Sequence, residues 1–238
     1  MPAGVEIINQ NNHIVIDGKF RNYALKQRGF VSCGTFFAGA NARACYAGNV
    51  SVSNCVAPIV AFRCAYNCFV TLASISGTTW TFRFAINSYH GEYGAGYIVG
   101  GQVEYFVFDL LPAPDEDSGL AVYNESGQLV FSSTHNHMRV LEVLTGDMPS
   151  TLFWTPLQSK TYTGKKPALC QNLFPIYTFG AEYVYQIGVA GIAYEDDVTL
   201  NQRIFCEFDA YNPPLSGILN AQYYSPKFNY LVIDVDGL

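Results

Sequence analysis

Apolar and polar residues alternate with a period of two along much of this chain. Trp80, Phe82, Phe84 and Ile86 fall on one face of a strand, with Thr81, Arg83 and Ala85 on the other, the pattern of a strand with one buried side. Residues 69–75 precede this run across Ser76-Gly77, and the two together predict a hairpin. Upstream, Val5 and Ile7 are followed by Ile14 and Ile16 across Asn9-Gln10-Asn11-Asn12, and asparagine tolerates the left-handed backbone of a tight turn. Leu120 and Val122 are followed by Leu129 and Phe131 in the same way, with Gly127 expected to supply a positive φ in the turn. Tyr105 to Asp109 predicts a closing strand. No long stretch keeps a 3.6-residue period without Gly, Pro or β-branched interruption. The expected fold class is all-β, antiparallel and sandwich-like.

The pattern occurs twice. Residues 4–25 align with 119–140 at an offset of 115, placing Gly4 on Gly119, Asn9 on Asn124 and Val15 on Val130. Tyr105-Phe106-Val107-Phe108-Asp109 aligns with Tyr230-Leu231-Val232-Ile233-Asp234 at an offset of 125. Between them, Trp80 to Phe84 and Ile204 to Phe208 share a weaker in-out rhythm. The drift in offset implies an insertion of about ten residues in the second copy. Lys160, Gly164, Pro167 and Pro175 place it in a long loop over 158–175. The expectation is two tandem β-sandwich-like domains related by internal duplication, each enclosing its own core. The first spans 1–111 and the second 119–238. Between them lies a 112–118 linker, in which Pro112 and Pro114 precede Asp115-Glu116-Asp117.

Composition sharpens this picture. Half of the residues are hydrophobic and only 13% are charged, against roughly a quarter in typical domains. With 17 Tyr and 17 Phe, the chain can fill sizeable cores. It can also present aromatic surface to other subunits, since interface centres are poor in charge and rich in aromatic rings. The net charge of −6 argues against a nucleic-acid grip, which needs clustered Lys and Arg. No uncharged apolar run approaches the roughly 20 residues of a membrane helix, and Met1-Pro2-Ala3-Gly4 has no leader-like pattern. The seven cysteines read first as buried free thiols, with disulfides formed outside the cell as the alternative.

Candidate chemistry is sparse. His135 and His137 share a strand face, but two imidazoles are too few for a site, and their counterparts Phe20 and Asn22 do not repeat them; no metal and no cofactor are assigned. The acid clusters Asp115-Glu116-Asp117 and Glu195-Asp196-Asp197 read as solvated turns. Asp109 and Asp234, which end the two closing strands, read as capping acceptors. No nucleophile elbow, phosphate loop or dinucleotide fingerprint is present, so no enzyme activity is expected. The candidate binding residues are Tyr89 and, interleaved with the glycines of 91–101, Tyr93 and Tyr97, offering ring surface to a partner chain or a sugar.

The stretch Gly119-Leu120-Ala121-Val122-Tyr123-Asn124-Glu125-Ser126-Gly127-Gln128-Leu129-Val130-Phe131-Ser132, together with the Tyr105 to Asp109 ending, resembles small tail-associated virion proteins of tailed bacteriophages. Both halves would be members. The first copy departs at Asn11-Asn12, where the second has Ser126-Gly127, and the second has Ser132 where the first has Asp17. The resemblance implies a non-enzymatic component of the distal tail, in a fibre or baseplate-adaptor role, assembled in the host cytoplasm and resident in the virion. Its partners would be other tail subunits, in a homo- or hetero-oligomer, and a host surface glycan or receptor. The rival expectation is a lectin-like carbohydrate-binding module acting through the tyrosine-rich loop. A third, weaker one is a hydrolase using Asp196, Asp197 or Glu207.

Overall fold

The computed structural model describes residues 7–8, 14–16, 21–38, 45–66, 68–87, 100–110, 119–147, 156–173, 176–181, 184–194, 199–210, 224–225 and 227–238. Side chains are described within 21–36, 46–66, 68–86, 100–110, 119–146, 160–171 and 229–238. All regular structure among these residues is strand. The first half carries β1 (Ile7–Ile8), β2 (Ile14–Ile16), β3 (Tyr23–Cys33), β4 (Thr35–Ala38), β5 (Cys45–Val52), β6 (Ile59–Arg63), β7 (Cys68–Ser76), β8 (Thr79–Asn87) and β9 (Gly101–Leu110). The second carries β10 (Ala121–Tyr123), β11 (Leu129–Ser132), β12 (Arg139–Asp147), β13 (Pro156–Thr161), β14 (Pro167–Leu173), β15 (Ile176–Ala181), β16 (Val184–Tyr194), β17 (Thr199–Ala210), β18 (Tyr224–Ser225) and β19 (Lys227–Asp234).

The expected hairpins form: β1 pairs with β2, β10 with β11 and β7 with β8, all antiparallel. In the β10–β11 turn the Asn124 carboxamide oxygen accepts from the amides of Ser126 and Gln128 at 3.0 and 2.8 Å, and Gly127 takes φ +73°. The remaining strands form two larger sheets. A six-stranded sheet runs β12-β19-β14-β6-β9-β3, and a nine-stranded one runs β13-β17-β16-β7-β8-β5-β4, with β15 and β18 attached beside β16. The chain passes between sheets at Gly34, where β3 leads into β4. Two glycines allow that close passage. A Cβ on Gly48 would lie 2.4 Å from the Ser32 carbonyl, and one on Gly100, at φ +85°, 2.1 Å from that of Cys33.

The six-stranded sheet has the same strand order from either edge: β3-β9-β6 from the first half, β12-β19-β14 from the second. Both edge ladders are irregular at matching places, between Leu25 and Gln27 and between Val140 and Glu142. These positions differ by the 115 residues seen in the sequence.

Its four central strands, β19, β14, β6 and β9, are buried on both faces, which is why they read as nearly unbroken apolar runs. Val60, Phe62, Val103, Tyr105, Val107, Leu169, Tyr230 and Val232 point to the nine-stranded sheet and pack with Val50, Phe82, Phe84 and Ile86; the Phe84 and Tyr105 rings lie 5.8 Å apart across this layer. The alternate residues form a second cluster on the other face. It pairs Ile59 with Phe108 and Ala61 with Phe106 from the first half, and Ala168 with Ile233 and Cys170 with Leu231 from the second, together with Tyr23 and Met138. The sheet curls round this cluster because its edges meet. Ala24 bridges to His137, Leu25 N–H donates to the Asn136 carbonyl at 2.7 Å, and Met138 N–H donates to the Tyr23 carbonyl at 2.9 Å.

Two expectations change here. Each half was expected to enclose its own core, yet both clusters draw on both halves, because β6 lies beside β14 in one sheet and β7 beside β16 in the other. The 112–118 linker falls outside the described residues. Where a long loop is expected over 158–175, residues 158–173 are instead strand β13, a short turn at Gly164 (φ +69°) and strand β14. Its Ala168, Leu169 and Cys170 are buried in a sheet interior, and this apolar run outweighs the loop signal of the Lys, Gly and Pro around it.

Candidate functional site

Tyr89, Tyr93 and Tyr97 lie outside the described residues, as do Asp115-Glu116-Asp117 and Glu195-Asp196-Asp197; Glu207 lies on β17, where backbone alone is described. The segment that carries the tyrosines lies in the chain between β8 and β9, the two strands whose Phe84 and Tyr105 meet across the core.

Several buried or half-buried ionisable groups hold strands together. Asp109 accepts from the amides of Val56 and Ala57, both at 2.9 Å. Asp234 accepts from those of Lys166 and Asp236 at 3.2 and 3.1 Å, and meets the Lys165 ammonium at 3.2 Å. Both therefore cap as expected. Burial alone would raise the Asp234 pKa, but the Asp236 amide, the Lys165 ammonium and the Lys166 amide hold it below the usual carboxylate range. Between the halves, buried Arg63 donates to the Pro167 carbonyl at 2.8 Å and lies 3.5 Å from Glu104, which Lys166 reaches at 2.8 Å. In a third group Glu142 accepts from both the Lys160 ammonium and the Tyr162 hydroxyl, and burial followed by the Glu142 charge pushes the Tyr162 phenol up.

Cys33, Cys55, Cys64, Cys68 and Cys170 are buried thiols. Burial pushes the Cys33 thiol up to about 12, helped by Cys64 and opposed by a hydrogen bond at Gly48, and burial alone pushes Cys170 up to about 12. Such thiols are inert packing groups, because the nucleophile is the thiolate. His135 and His137 make separate hydrogen bonds, to Thr134 and to the Ser132 carbonyl, and no group of three or more metal-ligating side chains occurs among the described residues.

What the described surface offers is apolar contact. Phe30 is 66% exposed on β3, Phe36 58% on β4 and Val143 53% on β12, beside Val140. Leu120 and Tyr123 are exposed on the β10–β11 hairpin. Sequence reasoning favoured the tyrosines and missed these, since an apolar residue at a strand edge carries the same pattern as one in the middle of a sheet. No helix among the described residues is long and apolar enough to cross a membrane. No protein-family model, curated protein or solved structure matches the chain.

Proposed function

We propose that this chain is a non-enzymatic structural component of a bacteriophage tail, in a fibre or baseplate-adaptor position, built by duplication of one β unit. The observation that carries the duplication is the repeated strand order of the six-stranded sheet, with ladder irregularities at Leu25/Gln27 and Val140/Glu142. Those lie at the spacing of the repeated Gly119 to Ser132 motif, which also carries the resemblance to tail proteins. A building-block role is supported by ionisable groups used for capping and strand-to-strand ties, by low charge, and by aromatic and aliphatic side chains left outward at sheet edges. Its partners are other tail subunits.

The test is incubation of the purified chain with tail particles lacking it, followed by sedimentation. The reading predicts stoichiometric uptake, weakened by Phe30→Ser or Val143→Ser. A chain that stays monomeric and binds no particle would refute it. A lectin-like role has one specific support, the tyrosine-rich segment between β8 and β9; saturable sugar binding lost in Tyr93→Ala or Tyr97→Ala would favour it.

A further inference from the structure

The two edges of the six-stranded sheet are joined through Asn136-His137-Met138, and the joint has an unusual side chain at its centre. The His137 ring stacks on Phe131 with centroids 4.6 Å apart and planes 14° from parallel. Its Nε2 lies 2.6 Å from the Ser132 carbonyl. A carbonyl only accepts, so Nε2 carries the proton and Nδ1 is a bare lone pair. That Nδ1 is buried and has no hydrogen-bond partner.

A second proton, taken from solvent, can go only to Nδ1. There it meets desolvation and, from its own segment, the like charge of His135; the Ser132 and Tyr23 carbonyls favour it, and the balance holds the imidazole pKa below its ordinary value. No Asp or Glu lies in residues 126–141 to compensate. On the same segment, Arg139 is turned to the Asp236 carbonyl. From β3 come the Tyr23 phenol and Lys26, the latter held by the Asn54 carbonyl and, at 3.9 Å, by Asp109. Asp109 in turn is committed to the amides of Val56 and Ala57. The acceptor closest to hand for a new Nδ1–H is the Tyr23 carbonyl, which already takes the Met138 N–H that closes the ring.

We propose that His137 is a proton-triggered latch between the two halves: protonation at Nδ1 undoes the Ala24–His137 bridge and exposes the outer backbone edge of β3 at residues 23–25. This device is independent of the tail assignment and holds whatever the protein's partners are.

Hydrogen exchange on the full chain tests it, corrected for intrinsic pH dependence and measured about one unit above and one to two units below the ordinary histidine pKa of about 6.5. The amides of Leu25 and Met138 lose protection on acidification, while those of the β9–β6 ladder keep theirs. His137→Gln, which can still donate to Ser132 but does not titrate, removes the pH dependence, and His135→Gln retains it. Acid-insensitive protection in the unmodified chain, or pH dependence that survives His137→Gln, overturns the latch. Because His137→Gln could perturb folding, NMR titration of the unmodified chain gives a second reading. The latch requires a His137 midpoint below the ordinary value with the Leu25 and Met138 amides shifting in step; a midpoint at or above it overturns the proposal.

Discussion

Within each half the strands are held by long ladders; between the halves they are not. The β3–β9 ladder runs from Tyr23↔Leu110 to Cys33↔Gly101, and β12–β19 from Arg139↔Asp234 to Asp147↔Lys227. By contrast, the contacts where the halves meet register single pairs among the described residues: Leu169↔Phe62, Ile192↔Cys68 and Ala24↔His137. Side chains supply what the backbone does not. Gln171 accepts the Val70 amide at 2.9 Å, Arg63 reaches the Pro167 carbonyl, and the Asn22 carboxamide donates to the Val130 carbonyl at 2.8 Å. Above all, both apolar clusters are shared. The seam is thus closer to an interface between two folded surfaces than to the middle of a sheet, as the proposed fusion of two copies of one unit would leave it.

The contrast can be broken most sharply at the shared core. Leu169 is fully buried on β14 beside Phe62 of the other half, and Leu169→Ala is expected to cost about 2–5 kcal/mol. Denaturant unfolding should show the whole transition moving; a loss confined to second-half probes would contradict a shared interior. Next in size is Arg63→Met, which keeps the aliphatic stem but removes the tie to Pro167. Glu104 retains Lys166 and some solvent, so the loss is about 1–3 kcal/mol, measured the same way.

Asp234 sharpens the comparison from the other side, since its bonds lie within the second half. Its folded-state pKa is depressed, so its contribution is present above the ordinary carboxylate pKa and fades as pH falls through the lower folded value. Asp234→Asn should cost about 1–3 kcal/mol near neutrality, a deficit that shrinks below about pH 4. A deficit constant with pH would show that the charge is not what matters. Val143→Ser, at an exposed edge, should change stability by no more than about 0.5 kcal/mol, and its effect should appear in self-association or particle binding.

Local signals made the hairpins legible: Asn124 and Gly127 close a turn, and alternation flanks it. The closing strands were legible from Tyr-x-Val-x-Asp, whose aspartates cap in both halves. The antiparallel all-β class follows from the same rhythm. What was hidden is long-range. Nothing near Leu169 announces that Phe62, on the other side of the proposed linker, will be its neighbour, because pairing between remote strands leaves no periodicity in either. Strand β14 was obscured by Lys165-Lys166, which precede it, and by Pro167, its first residue, because together they resemble a loop. As for the candidate site, sequence alone pointed to Tyr89, Tyr93 and Tyr97, which lie outside the described residues. The closing role of His137 had no sequence signal beyond a histidine on a strand, since it depends on Tyr23 and Ala24 arriving from the other half.

Scanning calorimetry of the full chain asks most directly whether the two halves are one cooperative body. A shared interior predicts one endotherm, with calorimetric and van't Hoff enthalpies in a ratio of about one. Two separable endotherms, only one of which shifts in Leu169→Ala, would mean that each half stands on its own core and would contradict the account.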